Sequence, residues 1–279
     1  MHERSSRSRT PTDTPSGSAT TSSDLITQRF ASLRERDAKA LVIYITAGHP
    51  DRARSLALLR GIAGAGADVI ELGVPFSDPL ADGPVIQASS QRALEQGMTF
   101  DGVLELAAEA AVDVPLVLFS YLNPIVAAGP SALERAAASG IHGILVTDLP
   151  VGGDSEVERE IGESPLAFIR LVAPTTPTPR MAEIARHGSG FVYLISRLGV
   201  TGMRNEIASD LGATIERLRS ATQLPVCVGF GISGPEQAAS VAALADGVVV
   251  GSAVVRAADS SVDEAVSLVR AMRKAIDDR

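Results

Sequence analysis

Glu71, Asp78 and Asp82 lie close together in ADVIELGVPFSDPLADGPVIQ, residues 67–87. Glu71 interrupts an apolar run of Val69, Ile70 and Leu72, bounded by Gly66 and by Gly73-Val74-Pro75, and that pattern predicts a buried strand ending in a turn. The two aspartates follow on a segment punctuated by Pro75, Pro79, Gly83 and Pro84. Proline fixes its own φ and biases the residue before it toward extended backbone, so this loop has few conformations open to it. An acid on a rigid strand facing an acid on a shaped loop can act as a general acid/base pair. The alternative is that Glu71 pairs with an arginine and the aspartates cap turns, since buried charges are usually paired.

Other chemistries find little support. The two lysines, Lys39 and Lys274, lie outside the predicted strand ends, which leaves a Schiff-base mechanism without a nucleophile. Of the four histidines, His2 lies near the N-terminus, His142 precedes a strand, and His187 ends a helix. Only His49 falls near a strand end, too few for a catalytic metal cluster. The single cysteine, Cys227, lies inside an apolar strand; it can form no intrachain disulfide and reads as a reduced, buried thiol of a cytoplasmic protein. Proton transfer by carboxylates remains, with Glu71 best placed.

The elements that must position these groups alternate. Apolar strands are predicted at 41–48, around Glu71, and at 115–122, 143–150, 166–173, 190–196, 225–231 and 247–255. Helices are expected between them, among them Asp51 to Gly64, Pro84 to Glu95, Asp101 to Ala111 and about Ile207 to Thr222. Ser131 with Glu134, Ser233 with Glu236, and Ser261 with Glu264 read as capping boxes. Continuous Val/Ile/Leu runs are the mark of parallel strands covered on both faces. Eight such units predict a single (β/α)8 TIM barrel, residues 23–279, which begins with a short helix over 23–36. An open doubly wound sheet is the alternative; the even spacing and the absence of G-x-G-x-x-G after the first strand disfavour it.

In such a barrel the chemistry sits at the C-terminal ends of the strands. Gly229-Phe230-Gly231-Ile232-Ser233 and Gly251-Ser252 end strands seven and eight, the place where this fold holds phosphate on backbone N–H groups and helix N-termini. Their glycines could instead serve only tight turns.

Composition agrees with a globular enzyme. The chain has 279 residues, 45% of them hydrophobic, and a net charge of −8, which argues against nucleic acid or anionic membrane as the main partner. No apolar run approaches the roughly 20 residues of a membrane span. Residues 1–22 are rich in Ser, Thr, Arg and Pro without an apolar core, and are expected to form a disordered tail.

ELGVPFSDPLADGPVIQ, with YITAG, YLNPI, VTDLP, LISRLGVTG, VGFGIS and VGSAVV, closely resembles the α subunit of tryptophan synthase, over about residues 24–275 and in the same order. The resemblance implies aldol cleavage of indole-3-glycerol phosphate to indole and glyceraldehyde 3-phosphate. It implies Glu71 as general acid/base and Asp82 as acceptor of the indole N–H. It places Tyr193 beside Glu71, the phosphate on Gly202, Gly231, Ile232, Gly251 and Ser252, and the indole among Tyr44, Leu122, Leu149 and Phe230. Thr201, in the loop 197–206, would reach Asp82 on closure. The resemblance further implies no cofactor in this chain and a β-chain partner carrying pyridoxal phosphate, in an α2β2 heterotetramer. Asp78, Pro79, Asn123 and Pro150 would face that partner. His49 stands where the family's pattern carries Asp or another small polar residue. A phosphosugar isomerase or epimerase on the same barrel, or a non-catalytic phosphate-binding regulator, are the competing readings.

Overall fold

A computed structural model describes residues 24–196, 204–229 and 231–278, with backbone alone for Asp24 and 204–209. The expected disordered tail, 1–22, lies outside them, as do Thr201, Gly202 and Phe230. Eight parallel strands close on themselves in chain order: β1 Ala40–Thr46, β2 Val69–Gly73, β3 Leu116–Ser120, β4 Ile141–Val146, β5 Ala167–Val172, β6 Val192–Ile195, β7 Val226–Gly229 and β8 Gly247–Val250. Pairing of β1 with β8 completes the barrel.

Helix α1, Asp24–Glu35, precedes the barrel. Around it run α2 Arg52–Gly64, α3 Pro84–Glu95, α4 Phe100–Ala110, α5 Leu122–Ala127, α6 Ala132–Ala138, α7 Ser155–Glu163, α8 Thr178–Arg186, α9 Arg204–Ala221, α10 Pro235–Ala242, α11 Ser252–Ser260 and α12 Val262–Asp277.

Two apolar layers follow from strand alternation. Leu41, Ile43, Ile45, Ile70, Leu72 and Leu118 point outward and pack under the helices. Ala40, Val42, Val69, Val117, Leu145, Ala167, Ile169, Cys227 and Val249 fill the barrel interior, where Ile26, Phe30 and Leu33 of α1 join them. The barrel is therefore a packed core at the α1 end, and in this fold the chemistry belongs to the opposite mouth.

The structure corrects several sequence expectations. The run 247–255 is not one strand: β8 stops at Val250, Gly251 takes φ −119° and ψ −82°, and Ser252 opens α11. Val254, Val255, Ala257 and Ala258 are buried as a helix face, a short apolar run that periodicity cannot tell from a strand. Strand β4 ends at Val146, so Thr147 to Pro150 belong to the following loop, and His142 lies within β4. Helix α5 is not among the expected elements. Of the three capping boxes only Ser261 caps, accepting the Glu264 N–H at 3.0 Å. Ser131 makes no cap hydrogen bond, and Gly234, not Ser233, is the N-cap of α10. Ser233 instead donates both its N–H and its hydroxyl to Gln237 Oε1, each at 2.8 Å.

Candidate active site

Glu71 lies in the middle of β2, in register with Tyr44 of β1 and Val117 of β3. Strand alternation turns its side chain to the barrel interior, above the apolar layer, where it is 1% exposed. Its Oε1 has no hydrogen-bond partner and it forms no ion pair among the described residues. The arginine-paired reading of Glu71 therefore fails. Burial alone raises its carboxyl to a pKa of about 8, so the group is mostly protonated at neutral pH.

Two tyrosines flank it. Tyr44 leans over Gly73, and Tyr193 of β6 leans over Gly229 of β7; a Cβ at either glycine would collide with the phenol oxygen. Tyr44 is buried and Tyr193 half-buried; desolvation holds both phenols well above their ordinary pKa, with Asp82 and then Glu71 adding to it at Tyr44 and Glu71 at Tyr193. Tyr44 also stacks edge-on against Phe119 of β3, ring centroids 5.1 Å apart at 76°, and its hydroxyl lies 3.3 Å from Thr46 Oγ1.

Asp82 is brought to the same mouth by its loop. Tyr121, just past β3, holds that loop: its hydroxyl accepts the Ala81 N–H at 2.8 Å, and its ring packs on Phe76 at 5.2 Å. Within the loop, Asp82 N–H donates to Pro79 C=O at 3.1 Å, and Gln87 Nε2 donates to Asp82 C=O at 2.9 Å. Partial burial raises the Asp82 carboxyl to about 6, with Tyr121 beside it acting in the opposite sense. Tyr121 is itself pushed up to about 12, by burial and by Asp82. Asp82 thus ionises below neutrality while Glu71 stays protonated, which separates an acceptor from a donor.

The turns after β7 and β8 open at the same mouth. Gly251, N-cap of α11, sits against Tyr44: a Cβ there would meet Tyr44 Cβ at 3.4 Å. Helix α11 begins at Ser252, exposed, and the first turn of a helix presents unpaired N–H groups. Gly231, at φ +77°, adopts a left-handed conformation that suits glycine, next to buried Ile232.

Of the other expected residues, Leu122 and Leu149 pack with the large outer cluster instead of with Tyr44 and Phe119. Phe119 is not among the expected residues, and Tyr121 stands there only as one of the residues ending strand three. Val117, Phe119 and Tyr121 share one face by alternation, so the period-2 pattern of strand three could have found them in place of Leu122. His49, 4% exposed, has Nε2 3.1 Å from Asp259 of α11, which also pairs with Arg92 of α3. Burial lowers the His49 pKa against the opposing pull of Asp259, and its ring faces Asp259 of α11, not Glu71 or Asp82.

The sequence matches the family model "Tryptophan synthase alpha chain" over residues 30–277. The chain belongs to the tryptophan synthase alpha chain family. It is 48% identical over 242 residues to the alpha chain of Gluconacetobacter diazotrophicus, an alignment covering 85% of this chain and 88% of that one. It is 50% identical over 234 residues to that of Citrifermentans bemidjiense, covering 83% and 88%. The crystal structure of tryptophan synthase subunit alpha from Legionella pneumophila superposes with a TM-score of 0.85 at 34% identity, covering 94% of this chain and 100% of that one. Tryptophan synthase from M. tuberculosis superposes at 0.82 with 30% identity, covering 90% and 98%. The family's role is that of the α subunit of a lyase in tryptophan biosynthesis, and its reaction is the aldol cleavage of indole-3-glycerol phosphate to indole and D-glyceraldehyde 3-phosphate. The isomerase and regulator readings give way to it.

Proposed function

We propose that Glu71 and Asp82 carry this cleavage. The observation that supports it most is the pairing of a buried, unpartnered Glu71 with a more acidic Asp82 at one mouth. Protonated Glu71 delivers its proton to indole C3. Ionised Asp82 accepts the indole N–H and stabilises the positive charge that develops on the ring as the indolenine forms. The Glu71 carboxylate left behind then takes the proton of the side-chain hydroxyl on the carbon that becomes the aldehyde. The C–C bond breaks, its electrons return to the ring, and indole and glyceraldehyde 3-phosphate are released. The ring itself is the electron sink, so the step calls on neither an amine nor a metal.

Tyr44, Phe119 and Tyr193 supply aromatic walls around the acid. Gly231, Ile232, Gly251 and Ser252 take the phosphate on main-chain N–H groups at the start of α11 and the turn after β7. An apolar slot and an anion site set apart across one mouth match a ligand that is an aromatic ring at one end and a dianion at the other.

The partner is a tryptophan synthase β chain, which carries the pyridoxal phosphate, in an α2β2 assembly; the cleavage uses no cofactor on this chain. Asp78 and Pro150 are exposed on loops and Asn123 on α5, and Leu80 and Val126 in the same segments are 94% and 59% exposed. Large apolar side chains left in water this way suit a protein–protein contact. None of the described helices is long and apolar enough to cross a membrane, which accords with a cytoplasmic enzyme. Indole release from indole-3-glycerol phosphate is the test, by the purified chain alone and with the β chain: release in both, faster with the partner, supports the proposal, and no release in either refutes it.

A further inference from the structure

Arg170 is an unexpected residue for the outer face of a barrel strand. It lies in β5, under α7 and α8, and is 4% exposed. Its guanidinium lies 3.6 Å from the Phe168 ring centroid and donates in three directions. Nε reaches His187 C=O at 3.0 Å, Nη1 reaches Leu149 C=O at 3.3 Å, and Nη2 reaches Glu158 Oε2 at 2.7 Å. The other oxygen of Glu158 accepts the Gly152 N–H at 2.7 Å. One buried ion pair therefore grips the loop after β4 at two main-chain points, Leu149 and Gly152.

The near end of that loop is joined to the site. Thr147 N–H donates to Ser120 C=O at 2.9 Å, and Asp148 Oδ1 accepts the Leu122 N–H at 2.8 Å. The Thr147 hydroxyl donates to the same Ser120 C=O at 3.4 Å, so the loop is tied to both chain neighbours of Tyr121, whose phenol holds Ala81 and stands beside Asp82.

We infer that Arg170, with Glu158, is a positioning residue for the cleavage: it sets the 147–152 loop, which sets Tyr121 and through it Asp82. Nothing in β5 itself needs a charge there, and a buried ion pair replaced by apolar groups is often no less stable, so stability does not account for it. This inference rests on the proposed role of Asp82.

The chain offers a direct readout. It has three tyrosines, Tyr44, Tyr121 and Tyr193, and no tryptophan, and all three surround the acid pair. Tyrosine labelled with carbon-13 at Cζ gives three signals, all from this site. Arg170→Met is expected to shift the Tyr121 signal and leave those of Tyr44 and Tyr193 in place. It is expected to lower kcat about tenfold with KM within about twofold, as for loss of an orienting contact felt in the transition state. Glu158→Gln keeps one acceptor oxygen and sets an amide NH2 against the other donor, Gly152 N–H or Arg170 Nη2, and is expected to shift the same Tyr121 signal and lower kcat by less than Arg170→Met does. Where Arg170→Met fails to fold, Arg170→Lys decides: it keeps the charge opposite Glu158 but lacks the fork that spans Leu149 and His187, and shifts the same signal with a smaller loss of kcat. A folded variant with an unmoved Tyr121 signal and wild-type kcat, or one that loses only melting temperature, overturns the inference. The Tyr121 signal is read without turnover, so it decides the clamp even if wild type releases no indole, an outcome that would sink the site assignment instead.

Discussion

Tyr44 and Glu71 are register partners on adjacent strands, and the Tyr44 ring crosses over Gly73, two residues beyond Glu71, so that phenol and carboxyl share one interior face of the barrel. The arrangement keeps water from the acid. Its first consequence is electrostatic. Asp82 must be ionised to accept the indole N–H, and Glu71 must be protonated to deliver a proton. With pKa values of about 6 and about 8, kcat/KM should rise as pH climbs through the first and fall as it passes the second. A pH profile of indole release checks this, and Asp82→Asn should remove the acid limb while leaving residual activity.

The same burial predicts a stability effect. An ordinary carboxyl ionises near 4.5, and Glu71 holds its proton to about 8. Between those values the unfolded chain has lost a proton that the folded chain keeps, so this group makes the fold less stable as pH rises. Glu71→Gln removes that dependence. It should match wild type below pH 4.5 and exceed it by on the order of 3 kcal/mol at pH 7, at about 1.36 kcal/mol per pH unit. Denaturant unfolding of both proteins at two pH values measures it; equal stability at pH 7 would place the true pKa near the ordinary value.

Glycine carries part of the site geometry. At Gly229 a Cβ would meet both the Tyr193 hydroxyl and Val249 Cβ, the latter at 2.9 Å, so Gly229→Ala must displace the tyrosine. A displacement near 1 Å costs roughly a hundredfold in rate where geometry is set this tightly, and kcat/KM should fall by about that much. Gly162→Ala, in α7 with open space around it, is the control: unchanged activity and about 0.5–1 kcal/mol of added stability.

Much of this site is legible in the sequence. Glu71 announces itself because a carboxylate in an apolar strand is rare, and Asp82 because prolines fix its loop. The eight-fold alternation announces the barrel. What stays hidden is phase and long-range partnership. Leu122 and Tyr121 differ by one position, and only the exact end of β3 decides which one faces inward. The run through Val255 reads as strand because β-branched residues pack in either form, and the backbone at Gly251 decides otherwise. Arg170 looks like a surface residue until Glu158, on a polar helix, is seen to close over it.

The anion end makes its own prediction. Ser252→Asp puts a carboxylate at the first position of α11, where it favours the helix through its dipole. The fold should hold or gain slightly in melting temperature. The KM for indole-3-glycerol phosphate should rise by about two orders of magnitude, because the charge occupies the place of the phosphate and repels it. Inhibition by inorganic phosphate should weaken in parallel; an unchanged KM would move the phosphate elsewhere.

The most direct measurement is single-turnover indole release by Glu71→Gln beside wild type, with binding of a non-cleavable indole phosphate followed in the same preparations. The amide preserves the shape of the side chain and cannot deliver the proton. Cleavage is expected to fall by at least about a thousandfold while the binding constant stays within a few-fold of wild type. Cleavage at the wild-type rate would show that residue 71 does not carry the proton.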